Sequence, residues 1–91
     1  MLMARRLLIS GRVQGVGFRW FVIDRASFEG ITGWVRNLPG GEVEVVAEGD
    51  AEAMDRFERA LRQGPGGARV DDLEVDILTP TGRFATFTAR H

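Results

Sequence analysis

Apolar and polar positions change rhythm several times along this chain, and each rhythm predicts an element. In Arg5–Val13 (RRLLISGRV), Leu7 and Ile9 alternate with polar neighbours, the two-residue period of a half-buried strand. Phe18–Glu29 (FRWFVIDRASFE) reads as a helix stopped by Gly30. Thr32–Leu38 is a short strand, and Pro39-Gly40-Gly41 turns it into a second alternating run, EVEVVAEG at 42–49. In that run Val43, Val45 and Ala47 point one way and Glu42, Glu44 and Glu48 the other, so one sheet face is expected to be wet. Asp50 stands where a helix cap belongs. The helix after it places Met54, Phe57 and Leu61 on one stripe and ends at Gly64-Pro65. Leu73, Val75 and Ile77 alternate in a fourth strand, and FATFTA (84–89) adds a short edge strand after the Pro80–Gly82 turn.

The order is β-α-β-β-α-β. It predicts an α+β, ferredoxin-like split βαβ fold, with two helices on one face of an antiparallel sheet. No internal repeat, linker or low-complexity segment interrupts it. Ninety-one residues, 44% hydrophobic and 27% charged, suit a single domain spanning 1–91.

Composition narrows the chemistry. The chain has no cysteine, which excludes disulfides, thiolate zinc sites and thiol nucleophiles and is compatible with a reducing compartment. No apolar run approaches the ~20 residues of a membrane span, and MLMARRLLIS turns polar too soon for a signal peptide. The expectation is a soluble cytoplasmic protein, monomeric at this size. Charge is unevenly spread along the chain. Residues 1–41 carry six Arg against Asp24 and Glu29, net +4, and residues 42–91 carry six Arg against eleven acids, net −5. The basic half favours an anionic ligand, unless folding merely scatters those charges over solvated faces.

That half contains GRVQGVGFRW, residues 11–20, with three glycines leading into the first helix. Helices usually start with a side-chain cap and an acidic first turn; this one starts with glycine and Arg19. Glycines at 15 and 17 let successive N–H groups turn inward as an anion-binding concavity. Arg19, set against the positive end of the helix dipole, costs ~0.3–1 kcal/mol unless an anion lies between them. The alternative is a plain strand-to-helix turn. Two familiar phosphate loops are excluded: the chain has no Lys for a P-loop, and a dinucleotide fingerprint would need glycine at Trp20. A second motif, GWVRN (33–37), ends in Asn37. Asparagine there either holds the turn through its own side chain or reaches the same cavity as Arg19.

GRVQGVGFR (11–19), GWVRN (33–37) and then Gly41-Glu42-Val43-Glu44 together resemble the acylphosphatase family, over essentially the whole chain. The resemblance implies a ferredoxin-like fold and hydrolysis of the carboxyl–phosphate bond of an acyl phosphate to a carboxylate and inorganic phosphate. It implies a phosphate-binding loop of Gln14, Gly15, Val16, Gly17, Phe18 and Arg19. By the same resemblance Arg19 binds the phosphate and Asn37 positions the attacking water. The residues agree with it: phosphoryl transfer needs charge neutralisation and an aligned nucleophile, and little covalent chemistry from the protein. No carboxylate cluster flanks either motif to hold Mg²⁺. His91, at the end of the sequence, is a poor candidate base.

The expectation is therefore a reaction without metal or cofactor, acting on a small acyl phosphate, with inorganic phosphate as product and inhibitor. No nucleic-acid or membrane partner is expected. Two other readings compete, a non-catalytic anion-sensing domain and a nucleic-acid-binding module with Trp34 as a stacking residue. Glu42, Glu44 and Glu48 oppose the second. The chain departs from the family pattern at Gly17, where some relatives have cysteine, and at Glu29, where an apolar residue is usual beside Phe28.

Overall fold

The computed structural model describes residues 1–91. Its elements are β1 (Leu2–Arg12), α1 (Phe18–Glu29), β2 (Thr32–Asn37), β3 (Val43–Asp50), α2 (Ala51–Gln63), β4 (Arg69–Leu78) and β5 (Phe87–Arg90). The sheet order is β4-β1-β3-β2-β5. β1 runs antiparallel to both β3 and β4, and β2 antiparallel to β3. This is the expected split βαβ arrangement. β5, however, pairs with β2 in parallel, so the sheet is mixed. The cause is the connection after β4, which carries the chain from one edge of the sheet to the other before β5 starts.

The alternation in the strands sets the core. Leu7 pairs with Val45 and Val75, and Ile9 with Val43 and Leu73, all toward the helices. Against them pack Phe18, Val22 and Ala26 of α1 and Met54, Phe57 and Leu61 of α2, all buried. Gly33 carries a φ of +137° with its Cα against β3, where a Cβ would lie 1.9 Å from the Val46 carbonyl oxygen. Only glycine lets β2 approach β3 this closely.

Four expectations change at the level of side chains. The face carrying Glu44 and Glu48 is not wet at those two positions, which are 5% and 2% exposed. Glu44 accepts hydrogen bonds from Arg6 on β1 and Arg36 on β2. Glu48 accepts from the Thr81 backbone and hydroxyl and from the Gly82 N–H, which pins the β4–β5 connection. These carboxylates look exposed in a strand pattern because their partners are remote in sequence. Asp50 does precede α2 but makes no side-chain cap bond; its carboxylate accepts from the Met1 amine instead. Ile77 is 71% exposed rather than core. It lies on the edge strand opposite Arg5, whose guanidinium bonds Asp55 and Glu58 and so meets α2 with charge instead of hydrocarbon.

The fourth change concerns the Phe28–Glu29 helix end. The Glu29 side chain is only 4% exposed, paired with Arg56 of α2 at 2.8 Å and with Arg25 at 3.5 Å. Phe28 turns outward beneath the Arg25 guanidinium, 5.0 Å from its ring centre. An ionic clasp between the two helices thus stands where an apolar contact was expected.

Candidate active site

The loop between β1 and α1 takes its shape from two glycines. Gly15 and Gly17 have φ of +74° and +77°, left-handed values that side-chain-bearing residues rarely adopt. Gly17 occupies the N-cap position of α1 with no side-chain cap bond. None of the loop and turn backbone bonds is donated by residues 14–17, and the earliest donor of α1 among them is Phe21, to the Gly17 carbonyl at 3.1 Å. The N–H groups of the loop and of the first helical turn are therefore uncommitted, at the positive end of the helix dipole.

Arg19 stands in that first turn and forms no ion pair, unlike Arg5, Arg6, Arg25, Arg36, Arg56, Arg62 and Arg69. Across from it, β2 ends at Asn37, whose register partner is the fully buried Val43. Asn37 is thus anchored on the rigid centre of the sheet. Its Oδ1 is buried and has no hydrogen-bond partner. Buried polar atoms normally find one, and leaving one unpaired costs ~1–3 kcal/mol. An acceptor held there without a partner is one that a ligand's hydrogen can satisfy.

These groups meet in one cleft of about 180 Å³, lined by Val13, Gly15, Gly17, Phe18, Arg19, Trp20 and Asn37. No carboxylate lines it. Its fixed charges are a guanidinium and a row of backbone dipoles, the arrangement that binds a tetrahedral anion. Nowhere in the molecule do three His, Asp or Glu side chains gather as a metal-binding group.

Of the residues singled out in the sequence, Gly15, Gly17, Phe18, Arg19 and Asn37 come together. The Gln14 and Val16 side chains point elsewhere. Val16 packs on the core. The Gln14 amide donates to the carbonyls of Leu38 and Glu42, at 2.8 and 2.9 Å, and straps the loop to the β2–β3 turn. Sequence reasoning could not find that role, since backbone carbonyls have no identity in a sequence. It also passed over Val13 and Trp20 as cleft residues. Trp20 carried a usable signal, a large aromatic residue beside Arg19; it is 73% exposed.

In sequence and in fold the chain is similar to known proteins. The family model described as Acylphosphatase matches residues 5–89. An acylphosphatase of Methylococcus capsulatus is 52% identical over 81 residues, 89% of this chain and 88% of the relative. The crystal structure of acylphosphatase from Bacillus subtilis aligns with a TM-score of 0.94 at 36% identity, covering 100% of both chains. The structure of an acylphosphatase from Coxiella burnetii aligns at 0.92 with 32% identity, over 98% of this chain and 93% of that one.

Proposed function

The chain belongs to the acylphosphatase family and is a hydrolase of acyl phosphates, and we propose that the cleft between the β1–α1 loop and Asn37 is where it acts. The phosphoryl group sits on the N–H groups of residues 14–19, with the Arg19 guanidinium across two of its oxygens. Charge developing on those oxygens is met by donors already in place, with no reorganisation at the moment of reaction. The Asn37 Oδ1 accepts a hydrogen from the attacking water and holds its oxygen toward phosphorus. As the new P–O bond forms, the bond from phosphorus to the carboxylate oxygen breaks and the carboxylate departs. A carboxylate is weakly basic and leaves without an acid. The water proton passes to a phosphoryl oxygen, since no carboxylate or imidazole lines the cleft to accept it. One observation carries this reading: Asn37, whose buried Oδ1 has no partner, lines the same cleft as an uncapped helix start and an unpaired arginine. An anion sensor would have no use for that oxygen.

We further propose that the protein works as a cytoplasmic monomer, without metal, and that inorganic phosphate occupies the cradle as a competitive inhibitor. Phosphate release from benzoyl phosphate tests the assignment. Arg19→Lys keeps the charge but loses the planar two-pronged fork, so the inhibition constant for phosphate should rise markedly, and more so in Arg19→Ala. Turnover should survive exhaustive chelation. Unchanged phosphate binding in Arg19→Ala, read by calorimetry, or activity lost to chelator and restored by Mg²⁺, would overturn the corresponding part.

A further inference from the structure

The phosphoryl cleft accounts for only part of the surface around Arg19. Trp20 and Ile23 are three residues apart on α1 and so share a helix face. Ala89 of β5 is in register with the buried Val35 and therefore points to the same side of the sheet as the helices. Together with Arg19 and His91 they enclose a groove of about 270 Å³. Three of its five lining residues are apolar and none is acidic. It shares Arg19 and Trp20 with the phosphoryl cleft, so the two cavities adjoin at those side chains.

In an acyl phosphate a single bridging oxygen separates phosphorus from the acyl carbon. With the phosphoryl group held at Arg19, the rest of the substrate must leave the cleft within one or two bonds, past residues that line it. Trp20 is one of those residues. It is 73% exposed and so contributes little to the core, although an indole is costly to leave in water. Resting on the acyl-phosphatase reading above, we infer that the Trp20–Ile23–Ala89 groove is the acyl-group subsite, and that Trp20 makes the enzyme select acyl phosphates with an apolar, ring-sized acyl group. Such a group stacks on the indole face and covers Ile23. A two-carbon acyl group is too short to reach either.

The test compares kcat/KM for benzoyl phosphate and acetyl phosphate in the wild-type protein, Trp20→Ala and Trp20→Phe. The wild type should favour benzoyl phosphate by about tenfold or more, and Trp20→Ala should cut that ratio by about tenfold, chiefly through KM for benzoyl phosphate. Trp20→Phe should keep most of it. Ile23→Ser, on the far wall, should lower the ratio in the same direction. An active enzyme with no wild-type preference, or with the ratio unchanged in Trp20→Ala, overturns the subsite and leaves the hydrolase assignment standing. A folded wild-type protein that releases phosphate from neither substrate overturns both.

Discussion

In the proposed mechanism Asn37 and Arg19 divide the chemistry by what each side chain can offer. A guanidinium is a fixed charge with paired donors, suited to phosphoryl oxygens; a carboxamide oxygen is a neutral acceptor, suited to a water hydrogen. The two roles predict different failures. Asn37→Ala should lower kcat for benzoyl phosphate by roughly 10²–10³-fold while the phosphate inhibition constant stays near wild type. Asn37→Asp should do no better, because it adds negative charge beside an anionic substrate. Were Asn37 only a turn residue, both variants would lose about 1 kcal/mol of stability with turnover per folded molecule intact. Measuring kcat, phosphate affinity and the urea midpoint on the same preparations decides between these outcomes. Near-normal kcat in folded Asn37→Ala would sink the water-positioning role.

At the scale of elements, the site depends on holding the β1–α1 loop against the β2–β3 turn. Gln14 does this with two hydrogen bonds to the Leu38 and Glu42 carbonyls, one on each side of the turn. In the proposed mechanism it would act on the reaction by fixing the distance between the N–H cradle and Asn37. Gln14→Ala should cost only ~0.5–1.5 kcal/mol for each bond lost, because the Leu38 carbonyl still accepts from the Gly41 N–H and the Glu42 carbonyl from the Leu38 N–H. It should also lower kcat by up to about 10²-fold, because misplacement of the water relative to phosphorus is penalised steeply. The measurement is kcat beside the urea midpoint. A stability loss with full turnover would mean that the strap serves the hairpin alone.

Across the whole molecule, the sheet face away from the helices is held by buried carboxylates. Burial would raise the Glu44 carboxyl, but the guanidinium groups of Arg36 and Arg6 outweigh it and leave it below its ordinary 4.5. Burial opposes Glu48 too, and the donors of Thr81 and Gly82 bring its carboxyl below 4.5 as well. A carboxyl lowered in the folded state binds protons more readily when unfolded, so its stabilisation is present above 4.5 and lost as pH falls through the folded value. The urea midpoint should therefore drop as pH falls below about 4.5, and Glu44→Gln should start lower at neutral pH and fall less on acidification. Equal slopes in the two proteins would show that Glu44 does not carry the acid sensitivity. The cradle contains no carboxylate, so phosphate should protect the fold at neutral pH by binding only the native state.

How much of this was legible in the sequence follows from where each cause resides. The alternation of Leu7 and Ile9 and of Val43, Val45 and Ala47, the stripe of Met54, Phe57 and Leu61, and the stops at Gly30 and Gly64 are local signals, and local sterics and apolar burial turned them into the predicted elements. Gly15 and Gly17 were legible for the same reason, since a left-handed backbone names its own residue. Glu44 and Glu48 were not, because the alternation that marks a face as polar cannot say that Arg6, Arg36 and the Thr81–Gly82 backbone will close over it. Nor was the strap from Gln14, the clasp on Glu29, or the parallel pairing of β5, each made with a partner that only the folded chain brings near. By itself, then, the sequence determined the elements, their order and the residue types a phosphoryl site requires. Tertiary structure alone decided that Asn37 shares a cleft with Arg19, that its oxygen is left without a partner, and that Trp20 opens a groove beside it, because desolvation and pairing across distant strands are properties of packing.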